Sequence, residues 1–187
     1  MSYPDYEKDV LRTLSLQFNL QSDPGGPFPT STDLLRSIRK AVEAGLEIDQ
    51  LKKSIFYGSP FGDASDDPSE TPIYLGDDSE NDQHPSPDIL HSALGLFTEA
   101  AEFLEAILKS SFGGEPFDRT NAVEELGDLE WYMAVMRQRL AVSQERVQRI
   151  NIAKLKARYP QKFAREEALV RDLKQERAIL ESAPEKD

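Results

Sequence analysis

The chain has 187 residues, a formal net charge of −12, 39% apolar and 30% charged residues, and no cysteine. That length supports one domain with its own core, and that charge argues against a broad nucleic-acid-binding surface, so no nucleic-acid polymer is expected as a partner. Disulfides and thiolate metal sites are excluded, and no apolar run approaches the roughly 20 residues needed to cross a membrane.

The opening MSYPDYEKDV lacks a basic segment followed by an apolar stretch, so a cytoplasmic location is expected. Tyr6 to Phe18 places Val10, Leu11, Leu14 and Phe18 at helical spacing. QSDPGGPFP then breaks the pattern. Ser31 or Thr32 can cap a second helix through LLRSIRKAVEAGLEIDQLKKSIF, which Gly58 and Pro60 end. Residues 62–88 hold nine acids, four prolines and no Lys or Arg, and read as an irregular acidic insertion. Without those nine charges the remainder carries only −3, which leaves room for a local basic pocket.

A third helix starts near Pro87 or Asp88, with Leu90, Leu94, Phe97, Ala101, Leu104 and Leu108 on its apolar face. FGGEPFDRT separates it from a fourth, carrying Ala122, Leu126, Leu129, Met133 and Met136. Ser143 caps a fifth, SQERVQRINIAKLKARY, which Pro160 closes. The tail reads as one charged amphipathic helix with Leu169, Leu173 and Leu180 available for packing. No segment has a strand pattern. The expected fold is all-α: a four- to five-helix bundle over residues 1–163 that includes the insertion, then a helical tail over 164–187. Leu34 to Phe61 also aligns with Leu90 to Phe117 at a constant offset of 56, with Glu43 opposite Glu99 and Leu46 opposite Glu102. Two amphipathic helices of like spacing would give this match, and so would a decayed duplication that lost its second acid.

The chemistry is concentrated in two acid pairs among apolar residues, Glu99 with Glu102 and Glu125 with Asp128. Residues three apart share a helix face, and the short turn between the helices makes them antiparallel neighbours. Four buried like charges repel unless a cation neutralises them, and oxygen ligands suit a hard divalent ion. Acids three apart are also common on exposed helix faces, and by spacing alone Glu124 competes with Glu125 and Glu105 extends the first pair. Asn151, Lys154 and Arg158 form one stripe of the fifth helix, suited either to phosphate and sugar oxygens or to solvent. Trp131, Tyr132, His91 and Phe112 are candidates for base contacts or for packing.

TEAAEFLEA, NAVEELGDLEWY and RINIAKLKARYPQKF, in that order, resemble the MazG-like all-α nucleoside triphosphate pyrophosphohydrolases over roughly residues 89–163. The resemblance selects Glu125 over Glu124. It implies Mg²⁺, with Mn²⁺ as a substitute, held by Glu99, Glu102, Glu125 and Asp128, and nucleotide contacts from Asn151 and Lys154. Arg158 is the less firmly matched member of that set. The activity implied is cleavage of a nucleoside triphosphate to monophosphate and pyrophosphate, with Lys154 stabilising phosphate charge and Glu102 a candidate to take the proton of water. A homodimer or homotetramer is expected. Ala101 stands where the family often has Gly, Glu130 where an apolar residue is common, and the insertion is unusually long.

Overall fold

The computed structural model describes residues 5–15, 17–23, 25–60, 73–76 and 83–182. They form seven helices and no strand, so the chain is all-α. These are α1 (Tyr6–Thr13), α2 (Ser31–Tyr57), α3 (Pro87–Gly113), α4 (Arg119–Arg139), α5 (Gln144–Arg158), α6 (Arg165–Leu169) and α7 (Leu173–Ser182). Two compact units divide them. One, Asn19–Arg139, carries α2, α3 and α4; the other carries α1, α5, α6 and α7. None of the described helices is long and apolar enough to cross a membrane.

Local chemistry accounts for the boundaries. Thr30, rather than Ser31 or Thr32, caps α2, because Asp33 completes a reciprocal box: the Asp33 amide donates to Thr30 Oγ1 at 3.2 Å and Thr30 N donates to Asp33 Oδ2 at 3.0 Å. Ser86 caps α3, Asp118 caps α4 through the amides of Thr120 and Asn121, and Ser143 caps α5. Gly58 and Gly114 end α2 and α3 at φ of 69° and 78°, the left-handed region that favours glycine. The two helices share the 56-residue offset in their first residues, last residues, N-caps and glycine caps.

Two expected helices are altered. The first stops at Thr13 instead of Phe18. Thr13 Oγ1 donates back to the carbonyls of Asp9 and Val10, Leu14 turns extended, and Phe18 is 81% exposed, so nothing packs to propagate the helix. The tail is two helices, not one: Val170 is extended and Asp172 Oδ1 accepts from the amide of Gln175, starting α7 afresh. Leu169, Leu173 and Leu180 are exposed, and the buried residue of α7 is Glu176. Most of the expected insertion lies outside the described residues; within it, Tyr74 stacks on His84 with ring centroids 5.5 Å apart.

Within the three-helix unit α3 is central. Gly45 meets Ala101, Lys52 meets Thr98 and Tyr57 meets His91, so α2 and α3 run antiparallel. Asp88 pairs with Arg139, Gly95 meets Tyr132 and Glu102 meets Glu125, so α3 and α4 do too. The seams are made of small and polar residues: Gly45, Gly95, Ser92, Thr98 and Ala101 are buried, whereas Leu126, expected on the apolar face of α4, is half in solvent. A Cβ on Gly95 would fall 2.3 Å from the ring of the buried Tyr132.

Gly95→Ala therefore tests the close approach. Helix propensity favours Ala by about 1 kcal/mol, but overpacking costs about 1–3 kcal/mol, so thermal stability should fall. A raised melting temperature would show that α3 and α4 are not held this tightly.

A carboxylate cluster and its buried lysine

Carboxylate oxygens of Glu99, Glu102 and Glu125 lie within 4.8 Å of one another. Glu99 and Glu125 are buried and Glu102 is exposed. α3 supplies the first two, one turn apart, and antiparallel α4 brings the third against them. Glu124 points to solvent, so of the two adjacent acids it is Glu125 that joins the cluster. Asp128 is exposed and contributes no oxygen to the trio, although its charge still acts on Glu125. Asn121, one turn before Glu125, donates its Nδ2 to Glu125 Oε1 at 3.1 Å. A cavity of about 260 Å³ opens beside the cluster, lined among others by Glu102, Glu105, Lys109, Asn121 and Glu125.

A cation of the protein's own reaches this cluster, and sequence reasoning missed it. Lys52 of α2 is only 4% exposed. Its Nζ donates to Thr98 Oγ1 at 2.8 Å, to Glu99 Oε1 at 3.2 Å and to Tyr132 OH at 3.4 Å, and lies 3.3 Å from Asp49 Oδ1. Asp49 pairs with Lys53 as well. A signal for Lys52 exists in the sequence: Ile38, Gly45 and Lys52 recur every seven residues along the inward stripe of α2, and the third is charged.

The electrostatics record the crowding. Burial, then the charges of Glu102, Glu99, Asp128 and Glu124, push Glu125 up to about 7. Burial, then Glu99 and Asp49, raise Glu102 against the opposing pull of Lys52 and Lys53. Burial alone would lower Lys52. The hydrogen bond to Glu99, with Tyr132 and the charge of Glu99 adding to it, more than offsets this and takes Lys52 to about 12. All-oxygen donors with surplus negative charge and one exposed member fit a hard divalent cation.

The expected nucleotide-contacting residues of α5 lie in the other unit. Asn151 and Lys154 are half-buried on α5, whose buried residue is Ile152, with Tyr159 buried at its C-cap. Arg158 is committed to an ion pair: its Nε and Nη2 donate to the two oxygens of buried Glu176 at 2.8 and 2.6 Å, and Arg171 holds the same carboxylate. Among the aromatic candidates, His91 stacks on Phe56 at 4.2 Å, lies edge-on to Tyr132 and meets Tyr57 OH at 3.1 Å, so His91 and Tyr132 have packing roles. Trp131 is 55% exposed and Phe112 37%.

No family model matches this chain, and no curated protein or solved structure matches it.

The cluster predicts a pH dependence for the metal-free protein. Folding raises Glu125 from an ordinary 4.5 to about 7. Its contribution to stability is therefore complete below 4.5 and is lost as pH rises through about 7. Glu102 acts in the same direction, while Lys52, raised to about 12, changes nothing in that window. The melting temperature should fall between about pH 5 and about pH 8, and Glu125→Gln should flatten the slope. Equal slopes in both proteins would contradict the shift.

Proposed function

We propose that this chain is a Mg²⁺-dependent nucleoside triphosphate pyrophosphohydrolase of the MazG-like kind, which cleaves its substrate between the α and β phosphates. The observation that carries the reading is the convergence of Glu99, Glu102 and Glu125 oxygens within 4.8 Å, from the helices that bear the two resembling acid motifs. Glu99, Glu102 and Glu125 would hold Mg²⁺, or Mn²⁺ in its place, which would neutralise phosphate charge and lower the pKa of the attacking water. Asp128, one turn from Glu125, would be the fourth ligand that the resemblance implies.

The chain's own groups do the rest. Glu102 is exposed at the edge of the cavity, where its carboxylate can reach a water and accept its proton. The water oxygen bonds to the α phosphorus as the bond to the bridging oxygen breaks, and pyrophosphate leaves with that electron pair. The resemblance assigns sugar and phosphate oxygens to Asn151, Lys154 and Arg158 of α5. For Arg158 this means exchanging the carboxylate of Glu176 for a phosphate. The role is removal of surplus or damaged nucleotides in the cytoplasm.

Val123, Leu126 and Trp131 of α4 are 68%, 52% and 55% exposed, and a second copy of the chain in a homodimer or homotetramer would cover them. The same exposed residues favour the rival reading of a non-enzymatic helical interaction module.

A panel of nucleoside and deoxynucleoside triphosphates with Mg²⁺, analysed chromatographically, decides between the two. Monophosphate and pyrophosphate should appear, without diphosphate. Glu99→Gln and Glu125→Gln should each lower kcat by about 10²-fold or more while the helical signal persists. Diphosphate with orthophosphate would refute α–β cleavage, and near-normal turnover in both variants would refute the metal assignment.

A further inference from the structure

Lys52 has no part in the chemistry just described, yet it is among the most deeply buried charged groups of the described chain. It reaches from α2 to α3 and α4 at once, and four oxygens surround its three protons. Asp49 shares its charge with Lys53, so the ammonium of Lys52 remains the counter-charge for Glu99. A buried ion pair is rarely retained for stability alone, since apolar residues of similar volume often serve as well. Here the pair sits at one side of a cluster whose third carboxylate, Glu125, is buried on the facing helix.

We propose that Lys52 is the built-in counter-cation of the carboxylate cluster: it pins one oxygen of Glu99 from the α2 side and leaves charge for a single divalent ion beside Glu102 and Glu125. The inference rests on the metal reading above. The three clustered carboxylates, when ionised, carry three negative charges and Lys52 returns one; with Asp128 as the fourth ligand the surplus is three, enough for one divalent ion and short of the four charges that two would bring. Lys52 is thus a positioning residue. It holds Glu99 in place through the ammonium, with Thr98 and Tyr132 fixing the ammonium in turn.

The test is Mn²⁺ uptake, followed by the paramagnetic resonance of free Mn²⁺, together with melting temperatures with and without Mn²⁺. The proteins are the full chain, Lys52→Met, and the double variant Lys52→Met/Glu99→Gln. The wild type should bind one Mn²⁺ per chain. Lys52→Met should melt lower without metal, because Glu99 loses its partner, and should gain at least about twofold more in melting temperature from Mn²⁺, which replaces the missing charge. Should that variant fold only when Mn²⁺ is present, the result supports the proposal in its strongest form. The double variant, with no unpaired charge, should recover metal-free stability but, lacking the Glu99 ligand, should show a smaller Mn²⁺ shift than Lys52→Met. Two ions per wild-type chain, or equal Mn²⁺ shifts in wild type and Lys52→Met, would overturn the counter-cation role and leave the metal reading standing. So would a Lys52→Met protein that stays unfolded even with Mn²⁺. A wild type that takes up no Mn²⁺ at all would overturn both.

Discussion

Carboxylates that face one another between packed helices must be neutralised, and this constraint shapes the three-helix unit. Glu99 and Glu125 are buried on facing helices with Glu102 beside them. Part of the repulsion is met by Lys52, part by the reluctance of Glu125 to ionise, and part by the Asn121 amide. The remainder is a standing demand for positive charge. Small residues make the arrangement possible. Gly45 against Ala101 and Gly95 against Tyr132 let the backbones approach closely enough for a lysine on α2 to reach α3 and α4 together.

The all-α class and most helix positions were legible because amphipathic spacing and capping chemistry agreed. Ser143 and Pro160 bracket α5 as expected, and the 56-residue offset between α2 and α3 extends to their caps. Failures came where local hydrogen bonds competed with periodicity. Thr13 turned its hydroxyl onto the preceding carbonyls and ended α1 early, and Asp172 began a new helix inside what read as one. A periodic pattern states which face is apolar. It does not state that anything lies opposite, as exposed Leu126, Leu169 and Leu173 demonstrate.

In the candidate site, the sequence showed which acids could share a helix face, and three of the four now share a space. It did not show Asp128 outside the trio, because spacing fixes a side of a helix and not a rotamer. Lys52 was overlooked because it sits 47 residues before Glu99 and in no acid motif. Its charge on the stripe of Ile38 and Gly45 was the available clue. Arg158 illustrates the converse. Its place on a basic stripe was legible, but its partner Glu176 lies 18 residues on, and pairing at that distance depends on how α7 returns to α5.

The central claim is that the cluster exists to hold a divalent cation, and anomalous diffraction from crystals grown with Mn²⁺ tests it most directly. The account predicts one anomalous peak per chain within bonding distance of Glu102 and Glu125 oxygens, with Glu99 still bound to Lys52. Occupied manganese elsewhere on the chain, with no peak between these carboxylates, would contradict it.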